Sequence, residues 1–202
     1  MEHLIHLNKD EQLKAVIALQ EPYVLVGKKK VYLHLCGSIM SQQLSTKVAA
    51  VIYARFLNLY KNKTPTLQQI VATPFETLRG IGLSNAKTQY VHNVCNFFIT
   101  KKITDAKLNK MSNEELIKYL TQIKGVGQWT VEMILMFTLG REDVFALDDL
   151  GIQQSFAKLY QLDASNKKAL KIKMLEISAS WSPYRTYACR YLWRWKDNIP
   201  AV

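Results

Sequence analysis

This 202-residue chain has no apolar run long enough to span a bilayer, and its N-terminus lacks the order of a secretory signal. Cysteine is scarce: Cys36, Cys95 and Cys189 are widely spaced and look unpaired, which suits a reducing compartment. The expectation is an intracellular protein, in a bacterial cytoplasm or a eukaryotic nucleus. The four histidines, His3, His6, His34 and His92, lack metal-ligand spacing with the cysteines, which argues against zinc. There is no low-complexity segment and no repeat at a solenoid period. Acidic residues are also short, 16 against 27 basic, and the resulting +11 suits a polyanionic partner without identifying one. Lys28 to Lys30 and the pair Lys101, Lys102 read as solvated faces.

The chain is punctuated as a helical protein. Asp10 precedes EQLKAVIALQ, Ser84 precedes NAKTQYVHNV, and Ser182-Pro183 opens the last apolar stretch. Pro65 and Pro74 mark short connections. Tyr23 to Val26 reads as a possible strand, but one short extended segment does not make a sheet. The fold class is therefore all-α, with length for one good core or two small ones.

The stretch from Leu120 to Phe156 carries the chemistry. Ser112 and Glu115 have capping-box spacing, and Leu116, Leu120 and Ile123 continue a helix that Gly125 and Gly127 break. Gly-Val-Gly reverses the chain, because glycine reaches left-handed angles without steric cost. A second helix starts near Gln128, carries Val131, Ile134, Leu135 and Leu139, and stops at Gly140. Its first amides, beside residues without large side chains, can meet a phosphate oxygen. The same pattern also describes an ordinary turn between packed helices. Asp148 and Asp149 follow in a loop entering another helix, where either can be an N-cap. A divalent-metal site would need further oxygen ligands, and no additional acidic cluster accompanies the pair.

Four segments, in order, are similar to the helix-hairpin-helix DNA glycosylase superfamily. They are SIMSQQLSTKVA (38–49), GIGLSNAKTQYV (80–91), the run L-x-x-I-K-G-V-G-x-W-T followed by D-V-F-x-x-D-D-L-G-I, and WSPYRTYACRYLW (181–193). Within that superfamily the pattern most resembles 3-methyladenine DNA glycosylase II, the alkylation-repair branch, from about residue 35 onward. The resemblance implies two helical subdomains flanking a cleft. One is residues 36–142, with the helix-hairpin-helix at about 113–140; the other is 1–35 plus 143–202, carrying the catalytic aspartate.

The family's catalytic residue falls on Asp149, and Asp148 then looks structural. One departure precedes the pair, since the family often has proline where this chain has Ala146. The implied reaction is hydrolysis of an N-glycosidic bond. A fixed carboxylate stabilises the oxocarbenium-like sugar and orients or deprotonates water, and an alkylated purine leaves with little acid assistance. Bifunctional relatives carry a Schiff-base lysine two residues after the hairpin's last glycine. Here that position is Trp129, which implies a monofunctional enzyme without lyase activity. The four-cysteine iron–sulfur tail of endonuclease III relatives is also missing.

Trp129 and Trp193 fall on base-stacking positions, where an indole face attracts a cationic base by about 0.5–2 kcal/mol. Tyr184 and Met133 are further candidates for the base pocket, whereas Trp181 and Trp195 read as core or surface packing. Lys124, Gly125, Val126 and Gly127 would hold the DNA backbone. Gln43 and Leu44 would wedge into the minor groove, the competing reading being a helix kink with Leu44 buried. The resemblance implies no required cofactor, with a structural Na+ or K+ optional at the carbonyls of Thr121, Ile123 and Val126. The expected partner is double-stranded DNA bearing alkylated bases, bound by a monomer. Two alternatives stay open: a non-catalytic module for damaged DNA, and a glycosylase for deaminated or mismatched bases.

Overall fold

The computed structural model describes residues 1–197. Among these every regular element is a helix, thirteen α-helices and one short 3-10 helix, with no strand. Tyr23 to Val26 is therefore not a strand. The guanidinium groups of Arg190 and Arg194 stand 4.3 and 4.2 Å from the ring of Tyr23, while Val24 and Val26 are exposed. No helix is long and apolar enough to cross a membrane.

Local chemistry starts most of these helices. The Asp10 carboxylate accepts from the amides of Gln12 and Leu13, and the Ser84 hydroxyl accepts from that of Lys87. Ser112 and Glu115 close a full capping box before the helix Asn113–Leu120, as their spacing predicts. Each such cap is worth about 1 kcal/mol.

The chain divides into two compact units, residues 28–134 and residues 1–27 with 135 onward, where the resemblance put the boundaries near 36 and 142. In the first, the helix Val31–Ser41 packs on the long helix Asn85–Thr100, which also receives Leu67–Ala72. Leu35, Ile39, Met40, Val91, Val94 and Phe98 fill that core. Cys36 and Cys95 belong to it as free thiols, their sulfurs 4.0 Å apart.

In the second unit the helices Leu150–Leu159 and Arg185–Asp197 pack together. Glu11–Ile17 and Lys167–Ser178 complete the layer, over Phe156, Trp181, Tyr191 and Leu192. Trp181 is core: its indole N–H donates to Asp10 Oδ2 at 3.0 Å, and the Tyr160 hydroxyl donates to the same oxygen at 2.6 Å. Trp195 is half-buried, with the Lys158 ammonium 5.8 Å from its ring.

Candidate functional site

The hairpin between Asn113–Leu120 and Gln128–Phe137 depends on two glycines in different ways. Gly125 has φ +103°, and a Cβ built there would overlap the ring of Tyr90, so both the backbone angle and the space demand glycine. Gly127 has no left-handed angle, and a Cβ there would meet nothing within 4 Å. The expectation that both glycines turn the chain is thus corrected. Gly125 makes the turn, and Gly127 keeps a side chain away from the start of the next helix. Val126, 5% exposed, pins the reversal from inside, and its amide donates to the carbonyl of Ile123 at 2.9 Å. Lys124 is exposed, and its carbonyl accepts from Asn93 Nδ2 at 3.2 Å.

A second turn lies in the same unit, joining Val31–Ser41 to Thr46–Asn58. Gln43 sits at φ +57°. Leu44 is 37% exposed, which rules out the reading in which it is buried in a kink. Gln42 Nε2 donates to the carbonyl of Gly125 at 3.3 Å, tying this turn to the hairpin. Beside it opens a cavity of about 630 Å³ lined by the turn, Ser84, Lys87, Tyr90 and Trp129. Trp129 is 38% exposed, and Met133, one helical turn onward, is half-buried.

Asp149 takes the capping role open to it from the sequence. It is the N-cap of Leu150–Leu159, with Oδ1 accepting from the Ile152 amide at 2.9 Å. The indole N–H of Trp193 donates to that same oxygen at 2.8 Å. Gly151 permits this approach, since a Cβ there would stand 3.1 Å from Asp149 Oδ1 and 3.2 Å from Trp193 Cδ1. The Trp193 ring leans on Phe137, with centroids 5.6 Å apart. Asp148 is exposed and ion-paired with Lys171, a surface pair of small energetic worth.

The loop before Asp149 has no proline, but it is held in other ways. Ala146 is fully buried and its carbonyl accepts from the Asp149 amide at 3.1 Å, while Gln153 Nε2 donates to the carbonyl of Leu147 at 2.9 Å. Further back, Arg185 grips Asp143 through Nε at 2.6 Å and Nη2 at 2.8 Å. Burial by itself would raise the Asp143 carboxyl, but hydrogen bonds from Arg185 and Ser182 hold it below its ordinary value. The Thr186 hydroxyl donates to the Arg141 carbonyl at 2.6 Å and accepts from the Val144 amide at 3.0 Å. The Arg-Thr pair of the last sequence motif therefore anchors the loop of the previous one. Neither residue stood out in the sequence, because nothing in a linear pattern says which distant backbone a threonine will serve.

Tyr184 stands apart from this group. Nine residues before Trp193, about 13 Å back along the chain's last helical segment, its ring packs edge-on to His6 and Tyr187 and its hydroxyl donates to Glu2 at 3.2 Å. Among the described residues no group of three or more His, Cys, Asp or Glu side chains is placed to hold a metal.

Residues 36–180 match the HhH-GPD superfamily base excision DNA repair protein family. The chain belongs to that family. This HhH-GPD protein is 39% identical over 196 residues to DNA-3-methyladenine glycosylase 1 of Schizosaccharomyces pombe, covering 94% of this chain and 85% of that one. It is 30% identical to the putative DNA-3-methyladenine glycosylase YfjP of Bacillus subtilis, across 96% of this chain and 69% of the relative. Its fold superposes on the S. pombe 3-methyladenine DNA glycosylase in complex with abasic DNA, with a TM-score of 0.85, 35% identity and 96% coverage of each chain. A DNA-3-methyladenine glycosidase from Bacillus halodurans superposes with a TM-score of 0.84 at 33% identity, over 98% of this chain and 90% of that one.

Proposed function

We propose that this HhH-GPD protein is a monofunctional DNA glycosylase that excises alkylated bases, of the 3-methyladenine and 7-methylguanine type, from duplex DNA in base excision repair. The observation that carries this reading is the Asp149 carboxylate. It sits at a helix N-terminus with Oδ1 held by two donors, the Ile152 amide and the Trp193 indole. A carboxylate so oriented can stabilise positive charge on a deoxyribose as its base departs. It can also take the proton from the water whose oxygen bonds to C1′ as the C1′–N bond breaks. A cationic alkylated base leaves as a neutral molecule, so no separate acid is needed. The likeness to a 3-methyladenine glycosylase bound to abasic DNA supports the same reading.

The other roles follow from it. Extruding a nucleotide costs a few kcal/mol, which calls for an anchor and a wedge. In this reading the backbone amides around Lys124 to Gly127 anchor a phosphate, and Gln43 and Leu44 enter the minor groove. Trp129, Met133 and Trp193 are each candidates to stack on the cationic base. The indole N–H of Trp193 is committed to Asp149, which leaves the ring face for stacking. Tyr184 is left out of this assignment. The carbonyls of Thr121, Ile123 and Val126, at a helix C-terminal end where a cation is favoured, would hold the optional Na+ or K+. The protein acts as a monomer and needs no cofactor. Trp129 at the position of the lyase lysine leaves an abasic site as the product.

Release of free bases from methylated duplex DNA, by wild type and Asp149→Asn, tests the proposal. Asparagine is as good an N-cap as aspartate and keeps an acceptor for Ile152 and Trp193, so the fold should hold while the charge is lost. We expect wild type to release methylated purines and the variant to fall on the order of 10²-fold or more with DNA binding retained. No release by wild type, or equal release by both, would defeat the proposal.

A further inference from the structure

The turn at 42–44 and the hairpin are fastened to one helix, Asn85–Thr100, and to each other. Lys87 Nζ donates to the carbonyls of Met40 at 3.0 Å and Gln42 at 2.5 Å. Tyr90 fills the space a side chain on Gly125 would need, and Asn93 holds the carbonyl of Lys124. Lys87, Tyr90 and Asn93 recur every third residue, so they share one side of the helix. Gln42 closes the circuit through its 3.3 Å hydrogen bond to the carbonyl of Gly125.

Lys87 is unusual in this setting. It is half-buried, and among the described residues no carboxylate lies within ion-pair distance of it. Its ammonium is spent on carbonyls at the C-terminal end of Val31–Ser41, where the last carbonyls lack helical partners and the helix dipole favours a cation. A methionine would pack equally well there, but it could not tie down the two carbonyls that lead into the turn. The tie matters because the next residue, Gln43, is held at a left-handed angle that a non-glycine residue adopts only at a cost.

We infer that Lys87 and Gln42 are positioning residues, which keep the turn carrying Gln43 and Leu44 rigid and at a fixed offset from the phosphate-holding hairpin during nucleotide extrusion. The inference rests on the glycosylase reading. Neither residue touches the reacting atoms. Unstacking a base pair step costs a few kcal/mol, and a turn free to yield would give way before the DNA does. Coupling the wedge to the hairpin makes the bound backbone the fixed point against which the turn works.

The test separates extrusion from chemistry. A duplex carrying 2-aminopurine beside an abasic-site analogue reports unstacking by fluorescence without any bond cleavage. Wild type, Lys87→Met, Lys87→Arg and Gln42→Leu are compared on it, with thermal melts and affinity for undamaged duplex measured alongside. Lys87→Met should bind undamaged duplex within about twofold of wild type yet lose most of the fluorescence rise. Its base release should fall about tenfold for a paired methylated base, and only about twofold when the lesion faces a mismatch that already loosens it. Lys87→Arg, which keeps the donors, should restore both signals, and Gln42→Leu should move the same way by a smaller factor. Parallel loss of undamaged-duplex affinity would make Lys87 a phosphate contact and overturn the inference. Equal losses on paired and mismatched lesions, or no loss at all, would overturn it too. If wild type unstacks the probe but releases no base, the glycosylase reading fails while the role of the turn is still decided by the fluorescence.

Discussion

Two glycine turns of residues 28–134, GIG at 80–82 and GVG at 125–127, look alike in sequence and differ in structure. In the first the left-handed residue is the second glycine, Gly82 at φ +111°; in the second it is the first glycine, Gly125 at φ +103°. Aligned on their left-handed glycines, Gly82-Leu83-Ser84 therefore corresponds to Gly125-Val126-Gly127. The middle residue is buried in both, Leu83 at 3% and Val126 at 5% exposure. What differs is the third. Ser84 caps its own helix through a 3.3 Å hydrogen bond from the Lys87 amide, while Gly127 has no side chain with which to do so. One turn closes its helix end with its own side chain, and the other has none to offer. On the proposed reading, one hydroxymethyl group separates a structural turn from a phosphate site.

The comparison can be broken most sharply at the left-handed positions. Gly82→Ala puts a Cβ 3.6 Å from Ile52, an ordinary contact, so its cost is the backbone angle, about 1–2 kcal/mol. Gly125→Ala carries the same angle cost plus a collision with Tyr90, adding about 1–3 kcal/mol of overpacking. Thermal melts should show the larger drop for Gly125→Ala, by about 2–4 °C per kcal/mol in a chain of this size. Equal drops would mean the two turns are steric equivalents.

Next in size is the graft of one turn's ending onto the other. Gly127→Ser has open space for its side chain and should leave stability unchanged or raise it by about a few tenths of a kcal/mol. It should weaken undamaged-duplex binding about tenfold, the value of one charge-assisted hydrogen bond to phosphate. Unchanged affinity in a folded variant would remove the hairpin from the DNA contact. The reverse change, Ser84→Gly, is the smallest: a few tenths of a kcal/mol in a melt, with duplex affinity unmoved.

Most of the helices, and the capping place of Asp149, were legible in the sequence, since both depend on near neighbours. Capping at Asp10, Ser84 and Ser112, and the aspartate opening Leu150–Leu159, all act within three residues. The two glycine turns show where that legibility stopped. The G-x-G pattern marks a reversal, but not which glycine takes the left-handed angle or what packs against it, Tyr90 and Ile52 being thirty or more residues away. The place of Tyr184 was hidden for a related reason, because a motif groups it with Trp193 although the structure packs its ring on His6 and Tyr187.

By itself, the sequence determined an all-helical chain of the HhH-GPD family, a glycine reversal, an aspartate at a helix start and the absence of a lysine at position 129. Each of these is a property of residue type or of spacing along one element. Only the tertiary structure decided that Trp193 meets Asp149, that Arg185 and Thr186 brace the loop leading to it, and that Lys87 and Gln42 bind the turn at 42–44 to the hairpin. Those partners lie tens of residues apart. Packing of whole helices brings them together, and no local preference of the backbone could have chosen them.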